Sequence, residues 1–157
     1  MKLDKILIFL AFNISVIASA QTEAPEIKGY ISISLLKSDS LALFFKFPKP
    51  VLNDSISLPD DSFEVLIVMG TWCEDSQREV PVFLNLIEVS GWKCPLRILA
   101  VDKSKMSDVS GYNNLNIKYV PTFIFYYKGE EIGRIVESPQ KSMKEDIQTI
   151  ISKVLKK

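Results

Sequence analysis

Apolar positions along this chain fall into blocks whose spacing changes from one block to the next. Residues 6–18 form one apolar run broken only by Asn13 and Ser15, with Lys2 and Lys5 at its start and Ala18-Ser19-Ala20 behind it. A positively charged start, a short apolar stretch and small residues at its end make a secretory signal peptide, here cut before Gln21. A retained membrane anchor needs roughly 18 or more uninterrupted apolar residues, which this run does not supply. Residues 21–62 are weakly patterned: Ile31 and Ile33 alternate with Ser32 and Ser34, a Phe-rich stretch covers Leu41–Phe47, and Pro48, Pro50 and Pro59 interrupt. A short strand, a helical turn and a loop are expected there. Asn53-Asp54-Ser55 matches a glycosylation sequon, which matters only in a eukaryotic secretory pathway.

From Phe63 the pattern sharpens. Phe63–Met69 is apolar except at Glu64 and rich in Val and Ile, too short for a helix and suited to a strand buried on both faces. Gly70-Thr71-Trp72-Cys73 follows at once. Val80, Phe83, Leu84 and Ile87 then recur at the spacing of an amphipathic helix that Gly91 stops. Leu96–Val101 reads as a second buried strand, the polar stretch Asp102–Asn116 as the place of a short helix, and Thr122–Tyr127 as a third strand. Lys128-Gly129-Glu130 turns the chain into a fourth strand, Glu131–Val136, as a hairpin. Ser138 is placed to cap a last helix with Pro139 at its first position, and Met143, Ile147, Ile150, Ile151, Val154 and Leu155 line one face of it. The order β-α-β-α-β-β-α predicts an α/β fold: parallel strands joined through helices, an antiparallel hairpin, and a mixed sheet covered on both faces.

Composition narrows the chemistry. The 157 residues carry 19 Lys+Arg, 19 Asp+Glu and no histidine. A neutral balance lacks the basic excess of a nucleic-acid binder. Without histidine there is no Ser-His-Asp triad or Cys-His dyad, and the two cysteines alone cannot close a four-ligand zinc shell. No cofactor and no metal is implied. Export puts both cysteines in an oxidising compartment, where a Cys73–Cys94 disulfide is the first expectation. The topology opposes it: Cys94 precedes the strand Leu96–Val101 and Cys73 lies beyond that strand's other end, about 20 Å away at roughly 3.3 Å per residue. Bridged Cα atoms lie within about 7 Å. Cys94 is therefore read as a structural thiol and Cys73 as a single one.

Cys73 is the candidate nucleophile. Loops at the carboxyl ends of parallel strands converge where sites form, and Cys73 sits on such a loop at the start of a helix. The helix dipole and its unpaired N–H groups favour the thiolate there. Glu74 and Asp75 bring negative charge beside the sulfur and oppose its ionisation. Ser76, one helical turn on, is placed to donate a hydrogen bond to the sulfur, and Arg78 to pair with Glu74, Asp75 or Glu79.

Trp72-Cys73-Glu74-Asp75-Ser76 after a buried strand, Pro81 in the helix, Val120-Pro121-Thr122 before a strand, and the Lys128-Gly129-Glu130 hairpin together resemble the thioredoxin family. The resemblance runs from about Phe63 to Lys157. It implies a thioredoxin-like three-layer α/β/α fold with a central mixed sheet, and a cis Val120–Pro121 bond facing the cysteine. It also implies that Cys73 and Ser76 form the reacting centre and that Trp72, Glu74, Asp75, Val120, Pro121 and Thr122 border the substrate groove. A proline at that point leaves neighbouring backbone groups to pair with an extended substrate chain. Three positions depart from the family's pattern. Ser76 stands where redox members carry a second cysteine, the sulfur that releases a mixed disulfide. Ile67 replaces a buried acid that assists that second thiol. Glu137 replaces a glycine after the hairpin and places a carboxylate beside the groove.

The organisation expected is thus a signal peptide at 1–20, an N-terminal extension at 21–62 and a thioredoxin-like domain at 63–157. The function expected is thiol–disulfide exchange through Cys73 alone, as a monothiol reductase or isomerase in the periplasm or outside the cell. Its partners would be extended segments of envelope proteins or small thiols, with no nucleic acid and no membrane insertion after cleavage. The alternative is a non-catalytic binding module or accessory domain in which Cys73 is inert.

Overall fold

Five strands form one sheet in the order β1-β3-β2-β4-β5: β1 (Gly29–Ile31), β2 (Phe63–Met69), β3 (Leu96–Ala100), β4 (Thr122–Tyr127) and β5 (Glu130–Val136). This computed structural model describes residues 23–49, 55–58 and 62–155. Residues 1–20, expected to be a signal peptide, the Asn53-Asp54 part of the sequon, and Lys156 and Lys157 lie outside the described residues. The strands β2 and β3 are parallel, with Val65 opposite Leu96 and Met69 opposite Ala100, and every other pairing is antiparallel. The fold is the thioredoxin-like α/β fold with a mixed sheet.

Alternation along the strands divides the core in two. Phe63, Val65, Ile67 and Met69 of β2 and Phe123 and Phe125 of β4 face α2 (Glu74–Ser90) and α3 (Met143–Leu155). The rings of Phe83 and Phe123 lie 4.8 Å apart and those of Phe83 and Phe125 6.0 Å apart, contacts worth about 0.5–1.5 kcal/mol each beyond buried area. Leu66, Val68, Leu99 and Ile124 point the other way, under Val109, Tyr112, Leu115 and Ile117. Helix α2 ends at Gly91, whose left-handed conformation lets its N–H reach Glu88 O and the Trp92 N–H reach Ile87 O. Lys128 and Gly129, both at positive φ, make the two-residue hairpin between β4 and β5.

One expectation is refined and one is corrected. The short helix expected in 102–116 is a 3-10 helix, Tyr112–Leu115, bracketed by left-handed Gly111 and Asn116. With few apolar positions to bury, that polar stretch does not repay α-helix nucleation. Tyr112 and Leu115 of that 3-10 helix, with Val109 and Ile117, cover this face of the sheet. The last helix begins at Met143, not behind Ser138: the Ser142 hydroxyl accepts from the Glu145 N–H, while the Asp146 carboxylate takes the N–H groups of Gln140 and Lys141.

Residues 23–49 and 55–58 are built into this architecture. Strand β1 adds to the free edge of β3 with Gly29 opposite Ala100, and the short helix α1 (Ile33–Leu36) follows, capped by Ser32. Leu36, Leu41, Phe45 and Ile56 then enter the core on the α2 side.

Candidate active site

The chain leaves β2 at Met69 and enters α2 at Glu74, with Cys73 at the helix N-cap in extended conformation and no side chain capping the first turn. Gly70 makes this tight exit possible: a Cβ there would lie 2.6–2.9 Å from the Trp72 indole, which packs directly over it. The indole Nε1–H donates to the Val101 carbonyl at the end of β3, 3.1 Å away, so Trp72 ties the two parallel strands together at the site. Cys73 is half-buried, and its thiol donates to the Val120 carbonyl at 3.3 Å.

Ser76 does not bond the sulfur. It is fully buried, and its hydroxyl oxygen accepts from the Gly70 N–H at 3.2 Å. The expected bond is replaced because the turn between β2 and α2 needs a partner for that backbone donor. Gln77 supports the same turn by donating to Thr71 O at 2.8 Å.

Opposite Cys73 stands the Val120–Pro121 peptide, which is cis. Its consecutive carbonyls hold different elements: Val120 O takes the Cys73 thiol, and Pro121 O accepts from the Glu137 N–H at 2.7 Å. Thr122 is buried, and its hydroxyl donates to Tyr119 O at 2.7 Å, so it braces the loop from within. Glu137 has φ +60° and Ser138 N–H bonds back to Val136 O, a tight γ-turn at the end of β5. Arg78 pairs with Asp75 at 2.6 Å and Glu79 at 2.8 Å and also reaches the Ser138 hydroxyl at 3.1 Å, stitching α2 to the turn after β5. That bond gives Ser138 its place: it serves the rim of the site and not the cap of α3. Glu74 is exposed.

Two further features border the site. The buried Thr71 hydroxyl donates to the Pro25 carbonyl, and Lys103, just past β3, pairs with Glu23 at 2.7 Å. The segment before β1 therefore runs along the Trp72 side, a contact that no local pattern in residues 21–62 signals. Cys94, by contrast, precedes β3 at the far end of the sheet, and both thiols are free. Burial pushes the Cys94 thiol above its ordinary range.

A thioredoxin of Ictalurus punctatus is 30% identical to this chain over 87 residues, which cover 55% of this chain and 78% of that protein. This chain belongs to the thioredoxin family. Thioredoxin H9 of Arabidopsis thaliana is 29% identical over 104 residues, 65% of this chain and 71% of that protein. Among solved structures, the reduced Schistosoma mansoni thioredoxin pre-protein is 24% identical, covering 60% of this chain and 81% of that one, with a TM-score of 0.43. No family model matches the chain. Membership in the family brings the fold of thiol–disulfide oxidoreductases.

Proposed function

We propose that this thioredoxin-family chain is exported to the bacterial cell envelope and exchanges disulfides there through Cys73 alone. What supports single-thiol action is the placement of Ser76, whose buried hydroxyl fills the second-cysteine position and is engaged by Gly70, while Cys94 stands at the far end of the sheet. Export is supported by the charged start, apolar run and Ala18-Ser19-Ala20 of the first twenty residues.

The Cys73 thiolate attacks one sulfur of a substrate disulfide, forming a new S–S bond and expelling the other sulfur as a thiolate. Once in the mixed disulfide, Cys73 has no proton to donate. The Val120 carbonyl is then released to accept an N–H from an extended substrate segment. Ser76 offers no sulfur, so a second thiol must attack the mixed disulfide and expel Cys73 as thiolate. If that thiol belongs to the substrate, the net result is isomerisation. If it belongs to a small thiol, that thiol is left joined to the substrate sulfur, and a second small thiol then attacks it and frees the substrate thiolate, so that the substrate is reduced and two small thiols end as one disulfide.

Acid quenching of cells followed by non-reducing separation tests this. Wild-type chain should carry mixed disulfides that map to Cys73, and Cys73→Ser should carry none. Equal capture of partners by Cys73→Ser, without any disulfide in the wild type, would instead make the chain a binding module and overturn the exchange chemistry.

A further inference from the structure

The rim opposite the nucleophile contains one acidic side chain that the family fold does not require. Glu137 sits at φ +60°, in the left-handed region that an L side chain rarely adopts. Its backbone is fixed next to the reacting sulfur: the thiol holds Val120 O, and the next carbonyl along, Pro121 O, holds the Glu137 N–H at 2.7 Å. Of the neighbouring acids, Asp75 and Glu79 share Arg78, and Glu74 is exposed to solvent at the start of α2. Among the described residues the half-buried Glu137 carboxylate has no hydrogen-bond or ion-pair partner. An unpaired charge on a turn whose backbone is anchored to the loop facing Cys73 is a point of substrate discrimination.

We infer that Glu137 sets the charge preference of the groove, favouring substrate disulfides flanked by cationic groups over those flanked by anionic ones. The inference rests on the exchange chemistry proposed for Cys73. Attack by Cys73 then proceeds as above, with one substrate sulfur retained and the other expelled. Glu137 takes no part in bond making. It is a specificity-determining residue, raising the local concentration of a positively charged chain and opposing a negative one.

Three small disulfides test this on the intact chain: cystamine (cationic), dithiodiglycolate (anionic) and hydroxyethyl disulfide (neutral). The readout is the rate of adduct formation at Cys73, followed by mass and peptide mapping and normalised to the neutral probe. At low salt the cationic-to-anionic ratio should fall roughly threefold to tenfold in Glu137→Gln and in Glu137→Gly, and invert in Glu137→Lys. It should also shrink in wild type near 1 M salt, where the screening length is about 3 Å. Glu137→Gln keeps the strained backbone and Glu137→Gly relieves it, so a purely structural role would separate these two variants whereas a charge role moves them together. Adducts whose ratio is the same in wild type and Glu137→Lys would overturn the role of Glu137 and leave the exchange chemistry standing. No Cys73 adduct with any of the three probes would overturn both.

Discussion

Ser76, Gly70 and Glu137 each occupy a position where the neighbouring backbone dictates the consequence of a substitution. Ser76→Ala removes the partner of the buried Gly70 N–H and should cost about 1–3 kcal/mol, measured by denaturant unfolding. Ser76→Cys puts a second sulfur one turn from Cys73, so mixed disulfides trapped by acid quenching should stop accumulating as the new thiol releases them. Gly70→Ala drives a methyl group into the Trp72 indole and must break its bond to Val101 O, with a loss of about 1–3 kcal/mol and a changed Trp fluorescence spectrum. Glu137→Gly acts in the other direction. It relieves the positive φ at the expense of some chain entropy, and a gain of about 0.5–1 kcal/mol is expected from the same unfolding measurement.

At the scale of elements, the segment before β1 is held to the site end of the sheet by ion pairs that respond to pH. Lys103 holds the Glu23 carboxyl below its usual range, and the Met106 N–H, with Lys28 second, does the same for Asp102. A lowered carboxyl favours the attached segment above the ordinary carboxylate range and ceases to do so as pH falls through the lowered value. The Thr71 and Trp72 amide resonances should therefore be constant at neutral pH and shift below about pH 4, and Lys103→Ala should remove the part due to Glu23. Strands β2 to β5 and helix α2 were legible in the sequence because their apolar spacing is strong and Gly91 and Lys128-Gly129 mark their ends. The start of α3 was misplaced because Ser138-Pro139 and Ser142 are both good helix starts. Only the long-range engagement of Ser138 by Arg78, and the Asp146 carboxylate turned back on Gln140 and Lys141, decide between them. The Cys73 and Val120-Pro121 parts of the site were readable as motifs, but the Ser76 bond to Gly70 depends on a turn geometry that residue spacing alone leaves open.

For the whole molecule, the question is whether the family domain stands without the residues that precede it. A boundary drawn at Phe63 follows the motifs, yet Leu36, Leu41, Phe45 and Ile56 are buried in the same core as Val65, Ile67 and Phe83. Burying one large aliphatic or aromatic side chain contributes about 1.5–3 kcal/mol, so these four contribute roughly 6–12 kcal/mol as an upper estimate. Net stabilities of single domains are about 5–15 kcal/mol, which makes that loss comparable to the whole. Removing the segment also strips β1 from β3, the Ser90 bond to the Ile56 N–H and the Trp92 bond to Ile56 O. A chain beginning at Ser62 should therefore show no cooperative unfolding transition, whereas one beginning at Gln21 should unfold in a single step. Restoring residues 21–61 as a separate peptide would not rescue it at micromolar concentration, because the joining of two chains adds an association cost that the covalent link avoids. A cooperative transition in the shorter chain, at a midpoint near that of the longer one, would show that the N-terminal residues merely cover a core that the rest of the chain completes.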